Sequence, residues 1–113
     1  MTPADHPRHQ LDDLLTHAVR FSVAAALAGV RSAEFALVRD SVEVSDSVLS
    51  KQVALLEQAG LVEVTKKRVG RRVRTWLALT DAGRATLAQH VAALQAIAAG
   101  AGAPNSTVPD GGP

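Results

Sequence analysis

The chain has no cysteine, which removes both a disulfide framework and thiolate chemistry from consideration. Aromatic residues make up 3% of its 113 positions and tyrosine is missing, a composition that argues against a β-sandwich core. No long hydrophobic run exists either. The longest, "VAAALAGV" from Val23 to Val30, falls well short of the about 20 residues a membrane span requires. The opening "MTPADHPRH" lacks the basic and apolar regions of a secretory signal. Bulk charge is also nearly absent: a net +1 gives no reason to expect a polyanionic partner, so only the distribution of charge is informative. No P-loop or dinucleotide glycine pattern occurs, and the clustered Ser45, Ser47 and Ser50 have no neighbouring histidine, so no enzyme is expected.

What is present is mostly Ala, Val and Leu in helical spacing. The length suits one domain with one core. Residues 1–9, with Pro3 and Pro7, read as a flexible arm. A helical period runs from Leu11 through Leu14 and Leu15 to Gly29, apolar on most sides beyond Val19, either as one helix or as two with a kink near His17. Ser32 is placed to cap a short second helix. "SDSVLSKQVALLEQAG" reads as a third, with Ser45 as its cap, Asp46 in its first turn and an inward stripe of Leu49, Val53 and Leu56.

The period then changes to two. "LVEVT" and "VRTWLALT" read as strands joined across Gly70, and Thr80 opens a last helix with Leu87, Val91, Leu94 and Ala98 along one side. The Gly- and Pro-rich residues 100–113 read as a disordered tail, leaving 10–99 as the folded domain. The expected fold is mainly α with a small β-hairpin, in the order α-α-α-β-β-α.

Two features carry chemistry. Outside its inward stripe, the third helix presents Asp46, Ser47, Ser50 and Lys51 near its N-terminus, with Gln52 at the margin. Short donors and acceptors on a helix start suit base edges and phosphates in a major groove. A merely solvated face would look similar. The second feature is the hairpin "TKKRVGRRVRTW", whose Lys66, Lys67, Arg68, Arg71, Arg72 and Arg74 are six of the chain's twelve Lys and Arg residues. Such clustering costs self-repulsion unless a polyanion neutralises it, whereas guarding an edge strand needs only one or two lysines.

The run "SDSVLSKQVALLEQAGLVEVTKKRVGRRVRTWLALTDAGRATL" resembles the winged helix-turn-helix transcriptional regulators of the MarR/ArsR kind, and the resemblance covers about residues 11 to 99. It implies a sequence-specific regulator of double-stranded DNA, a repressor by type, in a bacterial cytoplasm. It assigns Ser45, Asp46, Ser47, Ser50 and Lys51 to a recognition helix, with Gln52 a weaker candidate. It makes Arg71, Arg72 and Arg74 wing contacts, beside Lys67 and Arg68, and gives Thr75 a backbone contact. Relatives often carry a proline where Ala18 stands and another where Val73 stands, so a straighter first helix and a more mobile wing are expected.

The resemblance further implies a homodimer on a pseudo-palindromic site, and the apolar first and last helices suit burial of Leu11, Leu14, Leu15, Leu87, Val91 and Leu94 between subunits. His17 and Trp76 are candidates to line a cleft for a small-molecule effector of unstated identity. No cofactor and no metal are expected: Asp12, Asp13, His17 and His90 lack the ligand pattern of a built site. A winged helix that binds an acidic protein, or a nonspecific architectural DNA binder, are the competing readings.

Overall fold

A computed structural model describes residues 5–104. The expectations of a free arm and a disordered tail therefore lie, for residues 1–4 and 105–113, outside the described residues.

The elements run α1 (Ala18–Ala28), β1 (Ala33–Glu34), α2 (Phe35–Val42), α3 (Asp46–Gln58), β2 (Val62–Val69), β3 (Arg72–Leu79) and α4 (Asp81–Ala98), preceded by two 3-10 turns at Pro7–Gln10 and Asp13–Thr16. One core joins them. Val23, Leu27, Leu49, Leu56 and Leu77 are fully enclosed, and Leu15, Val38, Val62 and Leu79 surround them.

The first helix begins later than its apolar period suggests. His17 is extended at φ −84° and ψ 125°, and its Nδ1 accepts the backbone N–H groups of Val19 and Arg20 as the cap of α1. The Leu11, Leu14 and Leu15 spacing instead belongs largely to a 3-10 turn capped by Asp12, whose Oδ1 accepts from the Leu14 amide at 3.0 Å. α1 is also not apolar-buried on all sides. Val23, Ala24 and Leu27 face inward while Ser22, Ala25 and Ala26 are exposed.

The second helix starts at Phe35 rather than at Ser32, because Ala33 and Glu34 extend to pair with Leu77 and Trp76 of β3. That pairing makes a three-stranded antiparallel sheet in the order β1-β3-β2. It adds one short strand to the expected order.

The first strand of the hairpin runs further than its alternating apolar residues indicated, to Val69, whereas the second keeps its expected length and begins one residue earlier, at Arg72. Val62 pairs with Leu79 at one end and Val69 with Arg72 at the other, leaving Gly70 and Arg71 as a two-residue turn. Gly70 has φ +64° while Arg71 does not enter positive φ, the pattern of a type II′ turn whose twist matches that of the strands. Of the six clustered cations, only Arg71 sits in the turn.

α4 packs by a stripe different from the expected one. Gly83, Leu87, His90 and Ala93 are buried, whereas Leu94 is exposed. Gly83 is required here: a Cβ would stand 2.0 Å from the Leu61 carbonyl oxygen. The same carbonyl accepts the Thr80 amide at 3.0 Å, and Thr80 Oγ1 both donates to the Gly60 carbonyl at 2.6 Å and accepts from the Gly83 amide at 2.9 Å. These bonds lock the start of α4 onto the turn between α3 and β2.

Candidate nucleic-acid interface

α2 and α3 are joined by three residues, Glu43 to Ser45. Glu43 takes the left-handed conformation, φ 61° and ψ 52°, and closes α2 with its amide on the Arg39 carbonyl. Ser45 then caps α3, its Oγ accepting the Val48 amide at 3.2 Å and lying 3.2 Å from Ser47 Oγ. The expected stripe of Leu49, Val53 and Leu56 is buried. It leaves Asp46, Ser47, Ser50 and Lys51 exposed on the other side of α3, with Ala54 beyond them.

Two of the expected α3 residues are otherwise engaged. Gln52 does not lie on the outward face. It is 8% exposed, and its Oε1 accepts a 2.7 Å hydrogen bond from Arg20 Nη1. Position 52 lies three residues after Leu49 and four before Leu56, at the edge of the buried stripe, so its side chain is carried toward α1. Asp46 is exposed but ion-paired: Arg39 Nη1 lies 2.9 Å from its Oδ1, while Arg39 Nε lies 2.9 Å from Asp40. The hydrogen bonds to Asp40 and then Asp46 raise the guanidinium pKa further, so the charge on Arg39 is permanent.

Strand register sorts the basic cluster into two faces. A cleft of about 330 Å³ lies between α3 and the sheet, walled by Ser50, Val53, Ala54 and Glu57 on one side and Val64, Lys66, Thr75 and Leu77 on the other. Lys66 pairs with Thr75, so both face α3, and alternation puts Arg68 and Val73 on the same side. Lys67, paired with Arg74, and Arg72, paired with Val69, fall on the far side. Arg74 is not a free cation, since its Nη1 lies 3.1 Å from Glu34 Oε1 on β1. Lys66, Lys67, Arg68, Arg71 and Arg72 are exposed, and among the described residues their side chains have no ion pair.

Sequence reasoning missed the contribution of three residues. Lys66 was counted in the cluster but not assigned a site; register from the two-residue turn at Gly70 would have put it opposite Thr75. Arg39 and Arg20 carry no local signal, because their partners Asp46 and Gln52 lie seven and thirty-two residues away.

The other candidate residues are dispersed. Leu15 and Leu87 are buried within this chain's own core, although Leu87 also lines a groove on α4. Leu11, Leu14 and Val91 are half-buried and Leu94 exposed. A shallow apolar groove of about 450 Å³ runs along α4 between Ala28, Leu87, Ala88, Val91 and Gln95. His17 and Trp76 do not share a cleft. His17 is the exposed cap of α1, whereas Trp76 lines a pocket of about 270 Å³ on the far side of the sheet with Arg31, Ser32, Glu63, Thr65 and Lys67. Its indole N–H is buried without an acceptor. His90 Nδ1 accepts the Asp12 amide at 2.9 Å, and its ring lies 5.5 Å from that of Phe21.

The sequence pattern described as the winged helix DNA-binding domain matches residues 19–98. An uncharacterized protein of Methanocaldococcus jannaschii is 29% identical over 73 residues, covering 65% of this chain and 79% of its own. Among solved structures, a transcriptional regulator homologue from Pyrococcus horikoshii superposes with a TM-score of 0.72 at 26% identity, over 77% of this chain and 86% of that one. The YusO protein of Bacillus subtilis gives 0.70 at 25% identity, over 85% and 67% of the two chains.

Proposed function

We propose, for a chain that belongs to the winged helix DNA-binding domain family, a sequence-specific homodimeric regulator in which α3 enters the major groove and the β2–β3 hairpin grips the backbone or the minor groove. The family and fold are those of transcriptional regulators and not of enzymes. One observation carries the reading beyond that. The capped start of α3 leaves Ser47, Ser50 and Lys51 exposed to solvent, and Ser50 lines the same cleft as Lys66 and Thr75 of the wing, with Arg68 on that face of the hairpin. Hydroxyls and one cation at a helix start, flanked by unpaired cations, suit base edges bounded by phosphates.

Assembly follows from α4. Its groove along Ala88, Val91 and Gln95, with Leu94 exposed nearby, is the apolar surface a second copy would cover. A two-fold pair presents two α3 helices about 34 Å apart, which requires a pseudo-palindromic site. Repression by occupancy of such a site is the simplest outcome, in the cytoplasm where the DNA lies. A small-molecule effector, if one acts, has the pocket beside Trp76 available and not the surroundings of His17.

The test is selection from a randomised duplex library, followed by binding of the selected and a scrambled duplex over a salt series. Specific binding should exceed nonspecific by at least about 10³-fold. Replacing Arg71 and Arg72 together with Ala should weaken binding to every sequence and reduce the salt slope by about 2, whereas replacing Ser47 or Lys51 should change which sequences are selected. Salt-dependent binding without enrichment would identify an architectural DNA binder instead, and no duplex binding at all a protein-interaction module.

A further inference from the structure

Among the described residues, the recognition helix is held by apolar contacts, by the exposed Arg39–Asp46 pair at its first turn, and by one part-buried side-chain hydrogen bond at its middle. Leu49, Val53 and Leu56 pack α3 on the core, and contacts of that kind resist separation more than they resist small rotations. The Arg20–Gln52 bond is different in kind. It is charge-assisted, 2.7 Å long, and directional. Arg20 is itself fixed at a second point, with its Nε donating to the Leu14 carbonyl at 2.7 Å.

That carbonyl is not a loose end. Leu14 lies in the 3-10 turn that Asp12 caps through Leu14 N–H at 3.0 Å, and Asp12 N–H is anchored on His90 Nδ1 of α4 at 2.9 Å. Leu15 buries its side chain in the core beside them, and Gln89 and Gln10 bond across the same junction. A continuous hydrogen-bonded path therefore runs from α4, through the segment before α1, to the middle of α3.

We propose that Arg20 is the positioning residue of the recognition helix, setting through Gln52 the rotation of α3 on which sequence discrimination depends. The inference rests on the reading of α3 as the helix that enters the major groove. A rotation of 10° about an axis whose side chains reach about 5–6 Å moves their tips by about 1 Å, beyond the about 0.5 Å tolerance of a working site. Lys51 is the neighbour of Gln52 in sequence, and Ser47 lies on the same turned face, so both would be displaced. The wing cations would not, because phosphate contacts tolerate such shifts and belong to a separate element.

Gln52→Met removes the acceptor while keeping the length of the side chain, and Gln52→Glu keeps an acceptor for the guanidinium. Arg20→Ala breaks the same bond from a half-exposed position. Each is measured for binding to the duplex that the wild type selects and to a scrambled duplex, with thermal melting alongside. Q52M and R20A should lower the ratio of selected to scrambled affinity about tenfold, leaving scrambled binding within about twofold. Q52E should retain the ratio, and Q52M with R20A should lose no more than either alone. A purely structural role would lower the melting temperature and leave the ratio unchanged, which overturns the proposal. If wild type enriches a sequence and Q52M discriminates equally well, this inference alone falls. If wild type enriches none, the assigned role of α3 falls with it.

Discussion

Replacing Gly83 with alanine should unfold the junction between α4 and the α3–β2 turn. The added Cβ would stand 2.0 Å from the Leu61 carbonyl oxygen, 2.9 Å from its carbon and 3.1 Å from Leu79 Cδ2. Ordinary contacts of a methyl carbon begin near about 3.5 Å, so the helix start must retreat by about 1.5 Å. The obstacle is backbone, which cannot swing aside as a side chain would. Retreat would break the Thr80 amide bond to Leu61 and the Thr80 hydroxyl bond to Gly60. Overpacking costs about 1–3 kcal/mol and each lost hydrogen bond about 1 kcal/mol, while Ala over Gly in a helix returns about 1 kcal/mol. The net is about 2–4 kcal/mol. At about 4–8 °C per kcal/mol for a domain of this size, the melting temperature should fall by roughly 10–30 °C. Circular dichroism melting at 222 nm reads it directly, with Ala85→Gly on the exposed side of α4 as control, expected to cost about 1 kcal/mol. A G83A protein melting at or above the wild-type temperature would refute the claim that the close approach holds α4 in place.

Glu43→Gly should stabilise the protein by about 1 kcal/mol, because Glu43 holds φ 61° without a steric reason to favour it. Urea denaturation should show a higher midpoint at unchanged slope. Arg39→Ala should weaken binding to selected and scrambled duplexes alike by several-fold, since it leaves the Asp46 carboxylate unpaired where phosphate must approach. Adding Asp46→Asn to that variant should recover most of the loss in a fluorescence anisotropy titration.

The parts legible in the sequence are those whose signals are local. α3 announces itself through the Ser45 cap and three buried residues at helical spacing, and the hairpin through alternation on either side of Gly70. The first helix misleads because Leu11, Leu14 and Leu15 fit a 3-10 turn as well as an α-helix, and nothing local says that His17 will accept two amides as a cap. β1 was invisible for another reason. Two residues have no period, and Ala33 and Glu34 are extended only because β3 supplies partners more than forty positions on. In α4, two adjacent stripes compete, and the one carrying Leu94 is the more hydrophobic by composition. The one carrying Gly83 and His90 wins, because glycine permits the approach to Leu61 and the Asp12 amide supplies the imidazole with a donor.

The charge cluster shows most clearly what register adds to composition. Six cations in nine positions read as one patch, but the structure divides them by strand parity and by pairing. Glu34 neutralises Arg74 at the base of the hairpin, where the sheet meets the domain and a phosphate would have least access. Toward the tip no carboxylate follows. Lys66 and Arg68 remain on the side of α3, Lys67 and Arg72 on the other, and Arg71 in the turn between them. Val69 and Val73, 52% and 60% exposed, separate these charges near the tip without burying any of them. A ribbon meeting a flat acidic surface would gain from cations on one face only. Cations on both faces of a narrow ribbon gain most between two anionic walls, which is the arrangement of the phosphate strands bordering a minor groove. On that argument the far-face pair should matter as much as the near-face pair. Charge reversal at Lys67 and Arg72 should cost duplex affinity comparable to reversal at Lys66 and Arg68, measured at matched ionic strength. Loss confined to the near-face pair would place the wing beside the duplex backbone and not within a groove.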